Sequence, residues 1–432
     1  MAGPTRTGRR VALIAGYRTP FCKAGTDFGR LTSLDLGKAV VSELVARTEI
    51  DPEEIDALVY GNVVPTIASP NVAREIVLST TLPKKIHATT VMRACASSLE
   101  ALVDAGNAIA LGTSDVAIVG GVECLSDIPI LFSRKFSDAL VAASRARNFP
   151  DKLKAFAKVR PKDLIPIPPA IAERYTGMTM GQSAEAMAKE NGISREAQDR
   201  FALRSHQRAA AATEDGRLPA EIVPVYLPRE KRAVTKDNHI RPDTTLDALA
   251  KLRPAFDRRF GSVTAGNACP VTDGASAILI MAEEKAKALG YEPMGYIRSY
   301  AFSAVDPLWQ LLIGPVFAID KAVQRAGFAL KDMDLIDLHE AFAAQVLSVT
   351  QGLGSKKFAE ERLGRGTPVG EVDPDKLNVM GGSISIGHPF AATACRQITS
   401  ALHELERRGK NLAVVSQCAA GALGAAMVVE RN

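Results

Sequence analysis

GKAVVSELVARTEIDPEEIDALVYGNV (residues 37–63) and AIDKAVQRAGFALKDMDLIDLHEAF (residues 318–342) follow one pattern. Each reads as an amphipathic helix, a short acidic turn and an apolar strand, with Asp56 opening the first strand and Asp334, 278 residues later, the second. A second pair repeats the match further along. SSLEALVDAGNAIALGTSDVAIVGGVE (residues 97–123) and AATACRQITSALHELERRGKNLAVVSQC (residues 391–418) are each a helix, a Gly-containing turn and a strand, at an offset of roughly 297 residues. The larger offset requires an insertion in the later copy. Two such units in one order indicate an internal duplication with pseudo-twofold symmetry.

Outside these units the alternation continues. VALIAGYR (residues 11–18) and HATTVMRA (residues 87–94) read as strands, and NVAREIVLSTTL (residues 71–82) as a helix. Most of the strands are near-continuous apolar runs, as burial on both faces demands. The expected class is α/β, a sheet covered by helices on both sides. From 127 to about 256 the texture changes, with a proline cluster in LIPIPPA (residues 164–170), a long helical pattern in QDRFALRSHQRAAAATEDG (residues 198–216) and polar connections. The expected organisation is an N-terminal half (1–126, completed by about 257–287), an inserted loop domain (127–256) and a C-terminal half (288–432).

The chain has 432 residues, 47% of them apolar and 23% charged, which is ample for buried cores and excludes disorder as the main theme. No stretch approaches the ~18 uninterrupted apolar residues of a membrane span. The basic start, MAGPTRTGRR, lacks the apolar run and cleavage site of a secretory signal, so a cytoplasmic location is expected. Six cysteines in so long a chain form no disulfide framework, and none are paired as CxxC, so neither a metal site nor a redox dithiol is expected. A net charge of +5 is too mild to point to nucleic acid.

Four places could carry chemistry. Cys95, in VMRACASSLEAL, sits where a strand turns into a helix; the helix N-terminus favours a thiolate there, and a small buried residue in a tight turn is the alternative. His388, in GGSISIGHPFAATA, holds the same place in the second half as Cys95 in the first. A pseudo-twofold would bring the two helix starts together, and a Cys–His pair is a standard way to generate a thiolate nucleophile. Cys418 ends a strand before the small-residue loop AAGALG, whose approachable backbone N–H groups could bind an oxyanion while a second thiol shuttles protons. His339 and Glu340, in LIDLHEAF, end a strand at the carboxyl edge where α/β proteins place ligands, with helix N-capping as the plain alternative. His87, His206, His239 and His403 have no comparable context and read as surface or loop residues.

In combination, CASS, HEAF, GGSISIGHPFAATA and CAAGALG, in that order over more than 300 residues, resemble the thiolase family. RTPFCKAGTDFG (residues 18–29), MTMGQSAEAMA (residues 178–188) and KLRPAFDRRFGSVTAGNACPVTDGA (residues 251–275) extend the resemblance over essentially the whole chain. HEAF, where NEAF is more usual, resembles the thiolase subunit of fatty-acid β-oxidation complexes, the bacterial anaerobic type and the mitochondrial trifunctional β subunit.

The resemblance implies a thiolase fold of two βαβαβαββ halves in αβαβα layers. It implies an acetyl-CoA C-acyltransferase acting on 3-ketoacyl-CoA, with coenzyme A as co-substrate, no tightly bound cofactor and no metal. Cys95 would be the nucleophile, His388 its base, Cys418 the second proton carrier, His339 the holder of an oxyanion-hole water and Ala420 a backbone oxyanion donor. Arg241 would lie near the CoA nucleotide, with Met180 and Cys269 along the acyl–pantetheine channel. Three departures stand out: Cys269 for Ser, His339 for Asn, and Ala422 for Gly, the last at a loop position where Ala tolerates positive φ poorly. A homodimer or dimer of dimers is implied. Ketoacyl-synthase-type condensing enzymes share the fold but lack a second catalytic cysteine, and a non-catalytic lipid carrier would not need all four reactive side chains.

Residues 134–163 carry nine basic side chains against three aspartates, a net charge of +6, interleaved with Phe136, Leu140, Leu153 and Phe156. This basic amphipathic pattern suggests peripheral contact with acidic lipid or with an enoyl-CoA hydratase/3-hydroxyacyl-CoA dehydrogenase α subunit; an ordinary solvated helix pair is the alternative.

Overall fold

The computed structural model of the chain describes residues 8–167 and 172–432. It contains two compact units, Ile128–Ala172 and the rest of the chain. The large unit begins with β1 (Val11–Arg18), α1 (Ser33–Thr48), β2 (Ala57–Gly61), α2 (Val72–Leu78), β3 (His87–Val91), α3 (Ser97–Ala110) and β4 (Val116–Glu123). After α4 (Arg134–Arg145) and α5 (Phe149–Ala155) of the small unit come α6 (Met180–Glu190), α7 (Arg195–Glu214) and β5 (Thr272–Ala282). The second half follows as β6 (Gly295–Ala304), α8 (Gly314–Ala326), β7 (Leu335–Leu338), α9 (Ala343–Gly354), α10 (Thr393–Arg408), β8 (Leu412–Ala419) and β9 (Leu423–Glu430).

One sheet runs in the order β7-β8-β9-β6-β1-β5-β4-β2-β3. Its two sides repeat each other outward from the β6–β1 seam, as a pseudo-twofold requires, and there Ala12 pairs Tyr296 and Leu13 pairs Gly295. On one side β2 and β4 are parallel and β4, β5 and β1 antiparallel; on the other β7 and β8 are parallel and β8, β9 and β6 antiparallel. The counterpart of β3 is reduced to a parallel bridge between Leu377 and Ile336. The paired aspartates do the same work in both halves. Asp56 accepts the N–H groups of Asp115 (2.7 Å) and Val116 (3.1 Å), and Asp334 those of Asn411 and Leu412 (both 3.0 Å). Each carboxylate thereby fixes the start of the neighbouring parallel strand.

The three largest apolar cores among the described residues join the helices to the sheet. α1 and α2 bury Leu36, Val40, Leu44 and Ile76 against Leu58 and Ile118. α3 and α10 share the middle core, where Leu99, Leu102, Ile398 and Leu402 meet Leu13, Val119, Ile280, Val415 and Met427 from both halves. α8 and α9 cover the far face with Ile319, Val323, Val346 and Val349. β1 shows why its sequence is apolar throughout: Ala12 and Ile14 face one core while Val11 and Leu13 face another. Each fully buried aliphatic chain contributes ~1.5–3 kcal/mol, so the middle core binds the two halves firmly.

The small unit is shorter than the 127–256 insertion expected from composition. Residues 173–256 belong to the large unit because α6 and α7 are amphipathic: Ala184, Met187, Phe201 and Ala202 enter the same core as α8 and α9. Proline and polar content set the excursion apart but said nothing about where these helices bury their apolar faces. Within the small unit, α4 is N-capped by Ser133, whose hydroxyl accepts the N–H of Phe136 (3.3 Å), and Phe136 packs against Phe132 and Phe156.

Candidate active site

Cys95 sits in a tight turn between β3 and α3. Ser97 closes it: its hydroxyl accepts the N–H of Arg93 (2.9 Å) and donates to the carbonyl of Ala94 (2.6 Å). Ala94 is forced to φ 44°, a left-handed conformation that costs an alanine ~1 kcal/mol. The strain turns Cys95 out of the strand direction at the start of α3, whose N-cap, Ala96, has no side-chain acceptor.

His388 occupies the equivalent turn before α10. Gly387 adopts φ 112°, and a Cβ there would crowd Thr272, whose hydroxyl accepts the His388 N–H at 3.1 Å. The imidazole is held by Thr393, one turn on: Nδ1 lies 2.7 Å from its hydroxyl. That hydroxyl has one proton and gives it to the Pro389 carbonyl at 3.1 Å, so Nδ1 is the donor and Nε2 keeps the lone pair. Nε2 is buried without a hydrogen-bond partner.

His339 and Glu340 lie just past β7. α9 begins only at Ala343 and takes no side-chain cap, so neither residue is an N-cap. The Nδ1 of His339 pairs with the Ser383 hydroxyl (3.0 Å), and its Nε2 is again buried and unpartnered. Glu340 is a structural clamp. It accepts from Asn378 Nδ2 (2.7 Å), the Ser205 hydroxyl of α7 (2.7 Å) and the N–H of Ile384 (3.2 Å). A Cβ on Gly382 would overlap its carboxyl group, so any larger residue there would push the clamp out of its hydrogen bonds.

Cys418 is the penultimate residue of β8, paired with Gly424 of β9. The loop beyond it takes Gly421 at φ 82° and Ala422 at φ 56°, so Ala422 adopts the left-handed conformation that a glycine would favour. Its carbonyl accepts the N–H of Val305 (2.9 Å), which fastens the loop.

These segments converge. The Sγ of Cys95 and a ring nitrogen from each of His339 and His388 all lie within 4.8 Å of one another, and the two ring centroids are 4.0 Å apart. The N–H groups of Ala420 and of Cys95 itself face the Cys95 sulfur. Cys418 and Cys269 are close enough to couple electrostatically with Cys95. Burial raises the Cys95 thiol to about 12 despite those N–H groups. Burial, aided by the Arg396 cation, lowers His388 to about 3. His339 is held well below the usual histidine range by burial, His388 and Arg396. The resting pair is therefore neutral thiol and neutral imidazole, and the thiolate forms only as substrate charge and geometry demand it.

The other expected residues are more dispersed. Cys269 is half-buried beside the HEAF segment, its N–H donating to Ala341 O at 3.0 Å. Met180 opens α6 and packs on the core of the second half. Arg241 has an exposed side chain, and its N–H donates to Nδ1 of His206 at 3.2 Å. His206 corrects the reading of a surface histidine: it is buried on α7 and packs against His239, with ring centroids 6.0 Å apart. Three further residues escaped sequence reading. Thr393 and Ser383 orient the two imidazoles, and Arg396, 1% exposed and 3.8 Å from Asp337, biases both toward neutrality. Their signal was only their spacing from His388 in helical or turn steps.

A nucleophile turn and a histidine turn, related by duplication and meeting under a loop that carries a second thiol, define an acyl-transfer site. Residues 11–284 match the family model described as thiolase, N-terminal domain, and residues 291–431 that of thiolase, C-terminal domain. The chain belongs to the thiolase family and is an acyltransferase. It is 51% identical over 423 residues to a 3-ketoacyl-CoA thiolase of Shewanella halifaxensis, covering 98% of this chain and 97% of that one. It is 52% identical over 426 residues to a 3-ketoacyl-CoA thiolase of Aeromonas salmonicida, covering 99% and 98%. Among solved structures, human mitochondrial 3-ketoacyl-CoA thiolase superposes with a TM-score of 0.83 at 31% identity, covering 98% of this chain and 99% of that one. The same human enzyme in complex with CoA superposes with a TM-score of 0.82 at 31% identity, over 98% of each chain.

Proposed function

We propose that the chain catalyses CoA-dependent thiolytic cleavage of 3-ketoacyl-CoA to acetyl-CoA and an acyl-CoA two carbons shorter, through a Cys95 acyl-enzyme. The observation that carries this is the meeting of Cys95, His388 and His339 beneath the Cys418–Ala420 loop. His388 Nε2 takes the thiol proton as Cys95 Sγ attacks the 3-keto carbon. The C2–C3 bond then breaks, leaving the acyl group on Cys95 and acetyl-CoA as an enolate, which Cys418 protonates. Cys418 next takes the proton of incoming CoA, whose thiolate attacks the Cys95 thioester and restores the free thiol. The Cys95 and Ala420 N–H groups suit one oxyanion. His388 and a water bound to His339 suit the enolate oxygen. Thiolysis and Claisen condensation are one reversible reaction in this scheme. A condensing enzyme of the ketoacyl-synthase type has no use for Cys418, and its buried place beside Cys95 favours a thiolase over such an enzyme.

CoA binding past Arg241, with Met180 and Cys269 along the channel, belongs to the same reading, as do a dimeric assembly and a cytoplasmic setting. No helix among the described residues is long and apolar enough to cross a membrane. For the small unit, we infer contact with acidic lipid or a hydratase/dehydrogenase subunit, supported by its +6 charge and by exposed Leu131, Leu140, Phe149 and Leu153. Neutralising four of the basic residues should weaken liposome or partner binding; unchanged binding sinks the idea.

Intact mass after mixing with 3-ketoacyl-CoA, without free CoA, tests the reaction. An acyl adduct that clears on adding CoA and is absent in Cys95→Ala is expected. No adduct with either a short or a long substrate would overturn the proposal.

A further inference from the structure

The two histidines of the site share one arrangement, which the proposed reaction uses for a base and for a bound water. Each has its Nδ1 engaged by a hydroxyl, Thr393 at 2.7 Å for His388 and Ser383 at 3.0 Å for His339, and each has a buried Nε2 with no partner. An imidazole held at one nitrogen and free at the other is the arrangement of a metal-ligating histidine. The third group of the cluster is a thiol, and the three ligand atoms lie within 4.8 Å of one another. Tetrahedral zinc with bonds of ~2.0–2.3 Å places its ligands ~3.3–3.8 Å apart, so closing the site takes about 1 Å of side-chain movement.

We propose that Cys95, His339 and His388 form an inhibitory zinc-binding site. One Zn²⁺ takes the Cys95 sulfur as thiolate and the Nε2 lone pairs of both imidazoles, with His339 in the tautomer whose Nδ1–H donates to Ser383; the thiol proton leaves to solvent, and a water fills the fourth position. Nothing is oxidised or reduced. Bound zinc occupies the proposed nucleophile and base together, so it competes with acylation and is reversed by a chelator. The second imidazole comes from HEAF: an asparagine at 339 would leave only two of the three ligands. CxxC spacing did not reveal the site because its ligands come from three separate segments of the chain.

The binding is tested without turnover, so its failure is distinguishable from failure of the proposed reaction. Reduced, metal-free protein is titrated with Co²⁺ as a spectroscopic stand-in. A thiolate-to-cobalt charge-transfer band with tetrahedral visible bands, abolished by one equivalent of Zn²⁺, is expected. Alkylation of Cys95 by iodoacetamide, followed by peptide mass, should slow at least about tenfold in micromolar Zn²⁺ and recover with chelator. His339→Asn should weaken zinc binding at least about a hundredfold, since it removes one of three protein ligands. Cys95→Ser should remove the charge-transfer band, and serves if His339→Asn does not fold. Absence of the band in the wild type, its persistence in Cys95→Ser, or zinc affinity within twofold in a folded His339→Asn would overturn the proposal.

Discussion

Thr393→Val separates a positioning hydroxyl from simple packing at the base. Valine keeps the shape of threonine but cannot accept the Nδ1–H of His388, now 2.7 Å from the hydroxyl, or donate to Pro389. In the resting enzyme the lost bond is between neutral groups, worth ~1 kcal/mol net; once His388 holds the Cys95 proton it is charge-assisted, worth ~1.5–3 kcal/mol. The difference, ~0.5–2 kcal/mol, falls on the acylation step and corresponds to a roughly 2- to 30-fold slower rate. The neutral part appears as stability, with an unsatisfied buried nitrogen costing ~1–3 kcal/mol. Rapid-quench mass spectrometry of Cys95 acylation, with a urea melt of the same protein, reads the two separately. Thr393→Ser retains the hydroxyl and should recover most of the acylation rate. Acylation of Thr393→Val within twofold of wild type, or a serine variant as slow as the valine one, would refute the assignment of Thr393 to the base.

Gly121→Ala should cost at least about a hundredfold in activity, or prevent folding, because its Cβ would overlap the Ala391 carbonyl in the turn carrying His388 and backbone cannot give way there; circular dichroism and the acylation assay distinguish the two. With His388 lowered to about 3, the base stays neutral well into acid, so the acylation rate should hold flat from pH 7 down to about 5, whereas an acid limb near 6.5 would contradict the burial argument. His403 behaves oppositely: burial lowers it, but Glu221, 3.7 Å away, outweighs this and raises it above the usual histidine value. A raised folded-state value stabilises below the unfolded pKa of ~6.5 and fades as pH climbs through the folded one, so His403→Gln should shift the urea midpoint more at pH 5.5 than at pH 9.

The sequence alone determined the duplication, the α/β class and the identity of Cys95, His388, Cys418 and His339 as the residues to watch. It could do so because periodic burial and tight turns leave local traces: apolar runs for doubly covered strands, Asp56 and Asp334 at strand starts, glycine and proline around His388. The positive φ at Ala422 was legible only against the family resemblance, as an alanine where a glycine is usual. Tertiary structure decided what depends on contact between distant segments. It placed α6 and α7 with the main body, because an amphipathic face does not name its partner. It turned Glu340 from a candidate site residue into a clamp across α7 and the 378–384 segment, and His206 from a surface residue into a buried support of the Arg241 loop. It also set the protonation states. A neutral thiol beside two neutral imidazoles follows from burial in a shared low-dielectric pocket and from Arg396 nearby, and desolvation is a property of the packed neighbourhood that no single segment carries.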